Sequence, residues 1–327
     1  MLRHLQLAPA TPGPRPMIRI QLQVELTYEV GNAGADFVFN VHAAHTACQS
    51  VSAESLLLSQ PVDTYLNTDP STGNRYLRLH ALPGPLKLSY VATVDMAHFS
   101  ADPQQLAEVP IRCLPPEVMV YLNPSRYCQS DRLGRLAGTT FGGLPQGYQR
   151  VQAIQAWVKQ HVKFQGNTTN SNTSALDTLI ERVGVCRDFS HLMIAVCRAV
   201  NIPARFATGT DYGSDPALGP PDFQAYVEVF IGDRWYLFDA SCTAMPMGFV
   251  RFGTGRDAAD VAFATIFGGA QTHAPKIQAV AVEDASRGFV LPQHSLQALS
   301  TDDGSPLGGA GTVRADGTRG NVRVSSL

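Results

Sequence analysis

Paired cysteines are missing from this sequence. Its 327 residues include six cysteines, at 48, 113, 128, 186, 197 and 242, and no two form a CxxC pair. Six thiols scattered over this length are not a disulfide scaffold, and no secretion signal precedes them. Reduced thiols and a cytoplasmic location are the expectation. Long apolar runs are missing too: none reaches the ~20 residues that cross a bilayer. Charge of one sign is also lacking. The balance of 25 basic and 27 acidic side chains gives no reason to expect a nucleic-acid or membrane partner. There is no repeat at solenoid or propeller periods and no acidic EF-hand loop for calcium. The Gly- and Arg-rich run from Arg251 to Asp260 has neither G-K-[ST] nor G-x-G-x-x-G before a helix, so it reads as a structured loop with local charge pairing. The sequons at Asn167 and Asn172 carry weight only in a secreted protein.

The composition that remains, 44% hydrophobic, suffices for two domains with real cores. Residues 1–16 hold four prolines and read as a disordered extension. Residues 17–100 read as β. Ile18, Ile20, Leu22, Val24 and Leu26 alternate with polar residues, the period of a half-buried strand. Further strands are expected at 37–42, 56–58, 75–80 and 86–94, separated by turn-rich segments, and together they suggest a small β-sandwich. His42, His45 and Cys48 are close in sequence, but positions three apart on a strand face opposite ways, so no metal site is expected. Residues 101–146 are proline-rich and irregular, a connecting segment.

The pattern turns helical at Tyr148. Val151, Ile154, Val158 and Val162 form one stripe. Ser174 and Asp177 form a capping box that opens a helix running to Gly184, a glycine suited to a left-handed stop. A second helix starts at Cys186, with Phe189, Leu192, Met193, Val196 and Val200 at helical spacing. Cys186 therefore lies at a helix N-terminus. The helix dipole there favours the thiolate, which makes Cys186 the expected nucleophile and the most acidic of the six thiols. A strand at 204–208 follows, then a hairpin. Pairing Phe230 with Trp235 puts Asp239 opposite Tyr226 and diagonal to Gln224. Residues 291–327 are poor in large apolar side chains and read as a disordered tail.

Gly184-Val185-Cys186-Arg187-Asp188-Phe189, Asp222-Phe223-Gln224-Ala225-Tyr226, Trp235–Asp239 and Gly255–Val261 occur in an order that resembles the bacterial transglutaminase-like family. These proteins are relatives of the papain-like cysteine hydrolases. The resemblance spans roughly residues 145–268 and extends to the β-rich first hundred residues. It implies an α+β fold: a β-sandwich-like N-terminal domain over 17–100 and a transglutaminase-like core over 147–290. In that core the cysteine starts a helix packed on an antiparallel sheet. It implies Cys186 as nucleophile and Asp239 as the acid that orients the base. The base position falls on Gln224, where the family motif reads Asp-Phe-His-Ala. A glutamine amide has no usable pKa and cannot carry a proton. His191 lies about 140° round the helix from Cys186 and is expected to be structural. Arg187 and Arg205 are expected in structural ion pairs. Tyr226 and Trp235 are expected as walls of a substrate pocket or as core.

Two functions follow. The first is a cysteine hydrolase or acyltransferase that forms a thioester at Cys186 with an amide or ester carbonyl of a peptide, protein or small molecule, without a cofactor. Gln165 or Asn167 would supply the second oxyanion donor. The alternative is a binding or scaffolding protein that keeps the cleft and has lost the chemistry.

Overall fold

The computed structural model describes residues 15–213 and 221–301. Most of the expected N-terminal extension, and the tail beyond 301, lie outside the described residues.

The fold is α+β. Its first half is built on one strand, β1 (Ile18–Phe39), which buries Ile18, Ile20, Leu22, Val24, Leu26 and Tyr28. The strand does not end at the Gly31–Gly34 segment, where a turn was expected. It bulges there, and its register slips between Val30 and Ala35. Gly34 has φ +71°, and a Cβ would lie 2.8 Å from the Ala81 carbonyl oxygen, so a glycine is needed at this bulge. The two expected strands at 18–26 and 37–42 are thus one bent strand.

The hairpin of β4 (Arg75–Ala81) and β5 (Gly84–Met96) lines one edge of β1, with β5 on its first half and β4 on its second. β2 (Gln49–Leu58) and β3 (Thr64–Thr68) extend the order to β2-β5-β1-β4-β3. The packing expected of a sandwich is made by a single curled sheet. Its bend gathers Tyr28, Phe37 and Phe39, with ring centroids 5.0–5.8 Å apart.

The other edge of β1 is covered from far along the chain. β13 (Ala264–Thr272) and β14 (Lys276–Val282) pair with it antiparallel. Residues 264–282, assigned to the 147–290 core by sequence, therefore complete the first sheet. Their pattern is faint: β14 buries only Ile277 fully, and β13 buries no residue fully.

Between the two units, β6 (Phe99–Ala101) leads into short 3-10 turns, each near a proline that limits its length. The connecting segment also contains a helix, α1 (Gly134–Phe141), which its glycines conceal. The core follows: α2 (Tyr148–His161), β7 (Lys163–Phe164), α3 (Ala175–Glu181), β8 (Val183–Gly184), α4 (Cys186–Ala199), β9 (Ala204–Asp211), β10 (Gln224–Ile231), β11 (Arg234–Phe238) and β12 (Phe249–Gly255). The last four form an antiparallel sheet, β11-β10-β9-β12. α4 buries Phe189, Leu192, Met193 and Val196 in one cluster with Ala225, Val227, Val229 and Ile231 of β10. Truncating Leu192 to Ala in such a core costs about 2–5 kcal/mol.

Val250 and Phe252 of β12 pack in the β1 core, and Phe223 stacks on Phe263 at 4.3 Å. The two units thus share a hydrophobic seam. The expected tail also starts later than 291. β15 (Ala298–Ser300) pairs with β6, and Ser300 donates to the Trp235 carbonyl at 2.6 Å. Three alternating residues are too few to be seen as a strand in sequence.

Candidate active site

Two short contacts fix the start of α4. β7 pairs with β8 in parallel, and the Gln165 N–H donates to the Gly184 carbonyl at 2.9 Å. The segment before the helix and the cysteine turn are thereby held side by side, and the Gln165 N–H is committed to this contact. Gly184 is not the left-handed stop of α3. Arg182 takes that role, with φ 59°. Gly184 is small because Asp188 lies against it: a Cβ would be 2.7 Å from the Asp188 Cβ. Asp188 is fully buried and accepts from Val185 N–H at 2.9 Å and from the Thr169 hydroxyl at 2.8 Å. Arg187 pairs with it at 2.8 Å, the structural role expected.

This arrangement changes the chemistry of Cys186. The positive end of α4 already carries an anion, the Asp188 carboxylate. The Cys186 residue is partly exposed, but its sulfur is enclosed and lies 3.8 Å from the Phe223 carbonyl oxygen. Burial pushes the thiol up to about 12. The Ala225 N–H opposes this, and the carboxylates of Asp222, Asp211 and Asp239 reinforce it. Desolvation and three carboxylates therefore work against the helix terminus that the sequence reading expected to acidify this thiol.

The hairpin register is as read from the sequence: Phe230 pairs with Trp235, and the ladder continues to Val227 and Phe238. One step further along this register lie Tyr226 and Asp239. Asp239 is buried, and its carboxylate accepts four hydrogen bonds. The donors are Ser241 N–H at 2.9 Å, Ser241 Oγ at 2.6 Å, Thr243 N–H at 2.7 Å and Ala244 N–H at 2.9 Å. Gln224 starts β10 opposite Gly209 of β9. Tyr226 is buried and donates to Asp211 Oδ2 at 3.0 Å.

Trp235 is not part of this group. It lies at the turn end of β11, four positions from Asp239, and packs with Phe230, Leu114 and Val118. The Arg205 guanidinium sits over its ring at 4.2 Å. Its apolar face is filled by the connecting segment, which local hairpin reasoning could not reveal. Arg205 in turn pairs with buried Glu228, which Arg251 shares at 3.3 Å.

No described histidine replaces Gln224 beside the thiol. His191 accepts from Ala258 N–H at 3.2 Å and stacks on Tyr127 at 4.9 Å, as a structural residue. Burial holds its imidazole well below the usual range and therefore neutral. His161 stacks on Trp157 and contacts the Leu179 carbonyl. The two acids that sequence reasoning missed are Asp211 and Asp222. Asp222 stands in the same Asp-Phe-Gln-Ala motif as Gln224. Asp211 shares the face of Gln224 and Tyr226, and extending the 204–208 strand by three residues would have exposed it.

Comparison with known proteins agrees with this architecture. Residues 134–240 match the transglutaminase-like superfamily, and residues 18–117 match the N-terminal domain of bacterial transglutaminases. A solved structure from Cytophaga hutchinsonii, described as a candidate cysteine protease, is 40% identical with a TM-score of 0.79. The similarity covers 87% of this chain and 97% of that one. The chain belongs to the transglutaminase-like superfamily, a class of cysteine enzymes with a papain-like core. An uncharacterized protein of Mycobacterium leprae is 26% identical over 145 residues, 43% of this chain and 52% of its own length. This chain thus matches about half the length of that relative.

Proposed function

We propose that the Cys186 cleft binds a peptide, protein or small amide or ester ligand and does not turn it over at an enzymatic rate near neutral pH. One observation carries this reading: among the described residues the thiol meets a carbonyl oxygen and the charge of three carboxylates, and no imidazole. Thioester chemistry needs a thiolate and a group that returns its proton to the leaving group. Losing a general base alone costs roughly 10²–10⁴ in rate. Gln224 suits binding, because its amide can both donate to a ligand carbonyl and accept from a ligand N–H. The scatter of six cysteines without CxxC spacing supports a cytoplasmic location. No cofactor enters this reading.

A second reading, a working hydrolase or acyltransferase, is favoured by one observation. Desolvation raises the carboxyl of Asp222, whose charge acts on the thiol, and the resemblance implies Cys186 as nucleophile and Asp239 as orienting acid. In that reading Asp222 carries the proton. Incubation with p-nitrophenyl acetate at pH 7, followed by intact-mass measurement, separates the two. Binding alone predicts no acyl adduct that depends on Cys186 and equal hydrolysis by the Cys186→Ala variant. A Cys186-dependent burst with turnover would replace the first reading with the second.

A further inference from the structure

A concavity of about 340 Å³ opens to solvent against the loop that follows Asp239. Five parts of the chain line it, Gly213 among them. Phe164 comes from β7, which pairs with Gly184 two residues before Cys186. Cys242, Thr243 and Ala244 come from the loop that wraps the Asp239 carboxylate. Lys159 supplies a positive charge and His294 a polar ring.

Lys159 is one turn beyond Gln155 on α2, so both look toward the same loop. Gln155 Nε2 donates to the Asp239 carbonyl at 2.7 Å and lies 3.7 Å from Cys242 Sγ. His294 is delivered by residues just past the core. Gln293 N–H reaches Met247 Sδ at 3.4 Å, and this contact holds the segment against the 246–248 turn. Neither Lys159 nor His294 makes an ion pair among the described residues, and the Asp239 carboxylate accepts four hydrogen bonds from its own loop. Cys242 holds a left-handed backbone with φ 51°, uncommon for a residue with a side chain, and its thiol lines the concavity. Beyond burial, which raises it, the Cys242 thiol feels the Asp239 carboxylate and Lys159 in opposite senses, the carboxylate raising it and the ammonium lowering it, and Lys159 brings the positive charge to the concavity.

We propose that this concavity is a subsite for a carboxylate-bearing group of the ligand whose carbonyl reaches Cys186, with Lys159 and His294 as its recognition residues. The inference deepens the reading of Cys186 as a ligand cleft. A carboxylate here gains a charge-assisted hydrogen bond from Lys159, and Thr243 Oγ1 and the His294 ring add polar partners. Phe164 and Ala244 line the apolar stem that precedes the carboxylate. A peptide glutamate or aspartate, or a peptide C-terminus, carries that chemistry.

Cys242 provides the reporter. Alkylation is followed site by site by mass spectrometry in the Cys186→Ala variant, so the outcome does not depend on chemistry at Cys186. The reagents are iodoacetate, which carries a carboxylate, and iodoacetamide, which does not. Exposed Cys113 is the internal reference. The iodoacetate-to-iodoacetamide rate ratio at Cys242 is expected to exceed that at Cys113 by roughly threefold or more, as a local positive potential concentrates the anion. Lys159→Gln and His294→Gln should each reduce that excess, and the double variant should abolish it. The peptide acetyl-Ala-Glu-Ala-amide should protect Cys242 from iodoacetamide, and acetyl-Ala-Gln-Ala-amide should not. Protection by acetyl-Ala-Gln-Ala with a free carboxylate would assign the subsite to a C-terminus instead of a side chain. Equal ratios at Cys242 and Cys113, or equal protection by the Glu and Gln peptides, would overturn the proposal. If the subsite holds and p-nitrophenyl acetate still acylates Cys186 in the wild type, only the silent-cleft reading fails.

Discussion

The sulfur of Cys186 lies 3.8 Å from the carbonyl oxygen of Phe223, the residue immediately before Gln224. The thiol therefore meets a backbone acceptor at the place where a base would be needed. An S–H can donate to that oxygen, whereas a thiolate would be repelled by it. The protonated form is favoured, in line with a thiol at about 12.

Alkylation should report this directly. A thiol at about 12 instead of 9.0 has roughly one thousandth of the ordinary thiolate at pH 7. Cys186 should then react with iodoacetamide more slowly than Cys113, and its rate should still be rising at pH 10. A plateau for Cys186 below pH 8 would contradict the picture of a desolvated thiol among carboxylates.

Restoring the imidazole should move the thiol the other way. In Gln224→His the three neighbouring aspartates favour an imidazolium, and the imidazolium stabilises the thiolate. Cys186 should gain a labelling transition at lower pH. Hydrolysis of p-nitrophenyl acetate should rise by roughly 10²-fold, and the gain should vanish when Cys186 is also Ala. A well-folded Gln224→His protein with neither change would mean that more than one residue separates this cleft from a working triad.

Stability should fall on both sides of neutrality, for opposite reasons. His42 and His98 are pushed down to about 4 by burial, and His191 is lowered further. Their folded pKa values lie below the unfolded value, so the unfolded chain binds more protons as pH drops. Stability is lost between about 6.5 and 4, at up to about 1.4 kcal/mol per pH unit for each histidine. Cys128 and Cys186 are raised to about 12, and Cys197 is raised as well. Here the folded chain retains protons that the unfolded chain releases, so stability is lost as pH climbs above about 9. Urea melts at pH 4.5, 7 and 10 should give the highest midpoint at 7. A midpoint at 4.5 equal to that at 7 would show that the histidines are not buried neutral.

Glu228 should be among the most costly single removals. It is buried and pairs with Arg205 and Arg251, and it accepts from Thr301 Oγ1 at 2.8 Å. Glu228→Gln leaves two buried guanidinium groups without their anion. The expected loss is about 3–5 kcal/mol, read from chemical denaturation. A loss under about 1 kcal/mol would indicate that water reaches the group.

Ending the chain at residue 263 should unfold the first domain even though its own strands remain. β13 and β14 cover one whole edge of β1, and removing them bares the backbone groups of nearly its full length. Loss of the β circular dichroism signal or aggregation is expected. A monomeric, cooperatively melting 1–263 chain would show that the edge can stand alone.

The sequence by itself determined whatever depends on near neighbours. Strict alternation from Ile18 to Tyr28 marks a half-buried strand. Helical spacing from Phe189 to Val196 marks α4 and puts Cys186 at its start. A short turn at Gly232 fixes the register that carries Asp239 next to Tyr226. The family blocks added the roles of Cys186, Gln224 and Asp239. Only the tertiary structure decided what depends on distant segments. It brought residues 264–282 back to β1, because an edge strand with an exposed face leaves little periodic signal. It filled the Trp235 face with Leu114 and Val118. It also set the charge around Cys186, by bringing Asp211 of β9, Asp222 and Asp239, the residue after β11, within electrostatic reach of one sulfur. Local sequence gives the helix terminus that would acidify a thiol. The electrostatics of a buried atom sum over every group the fold packs near it, and here that sum has the opposite sign.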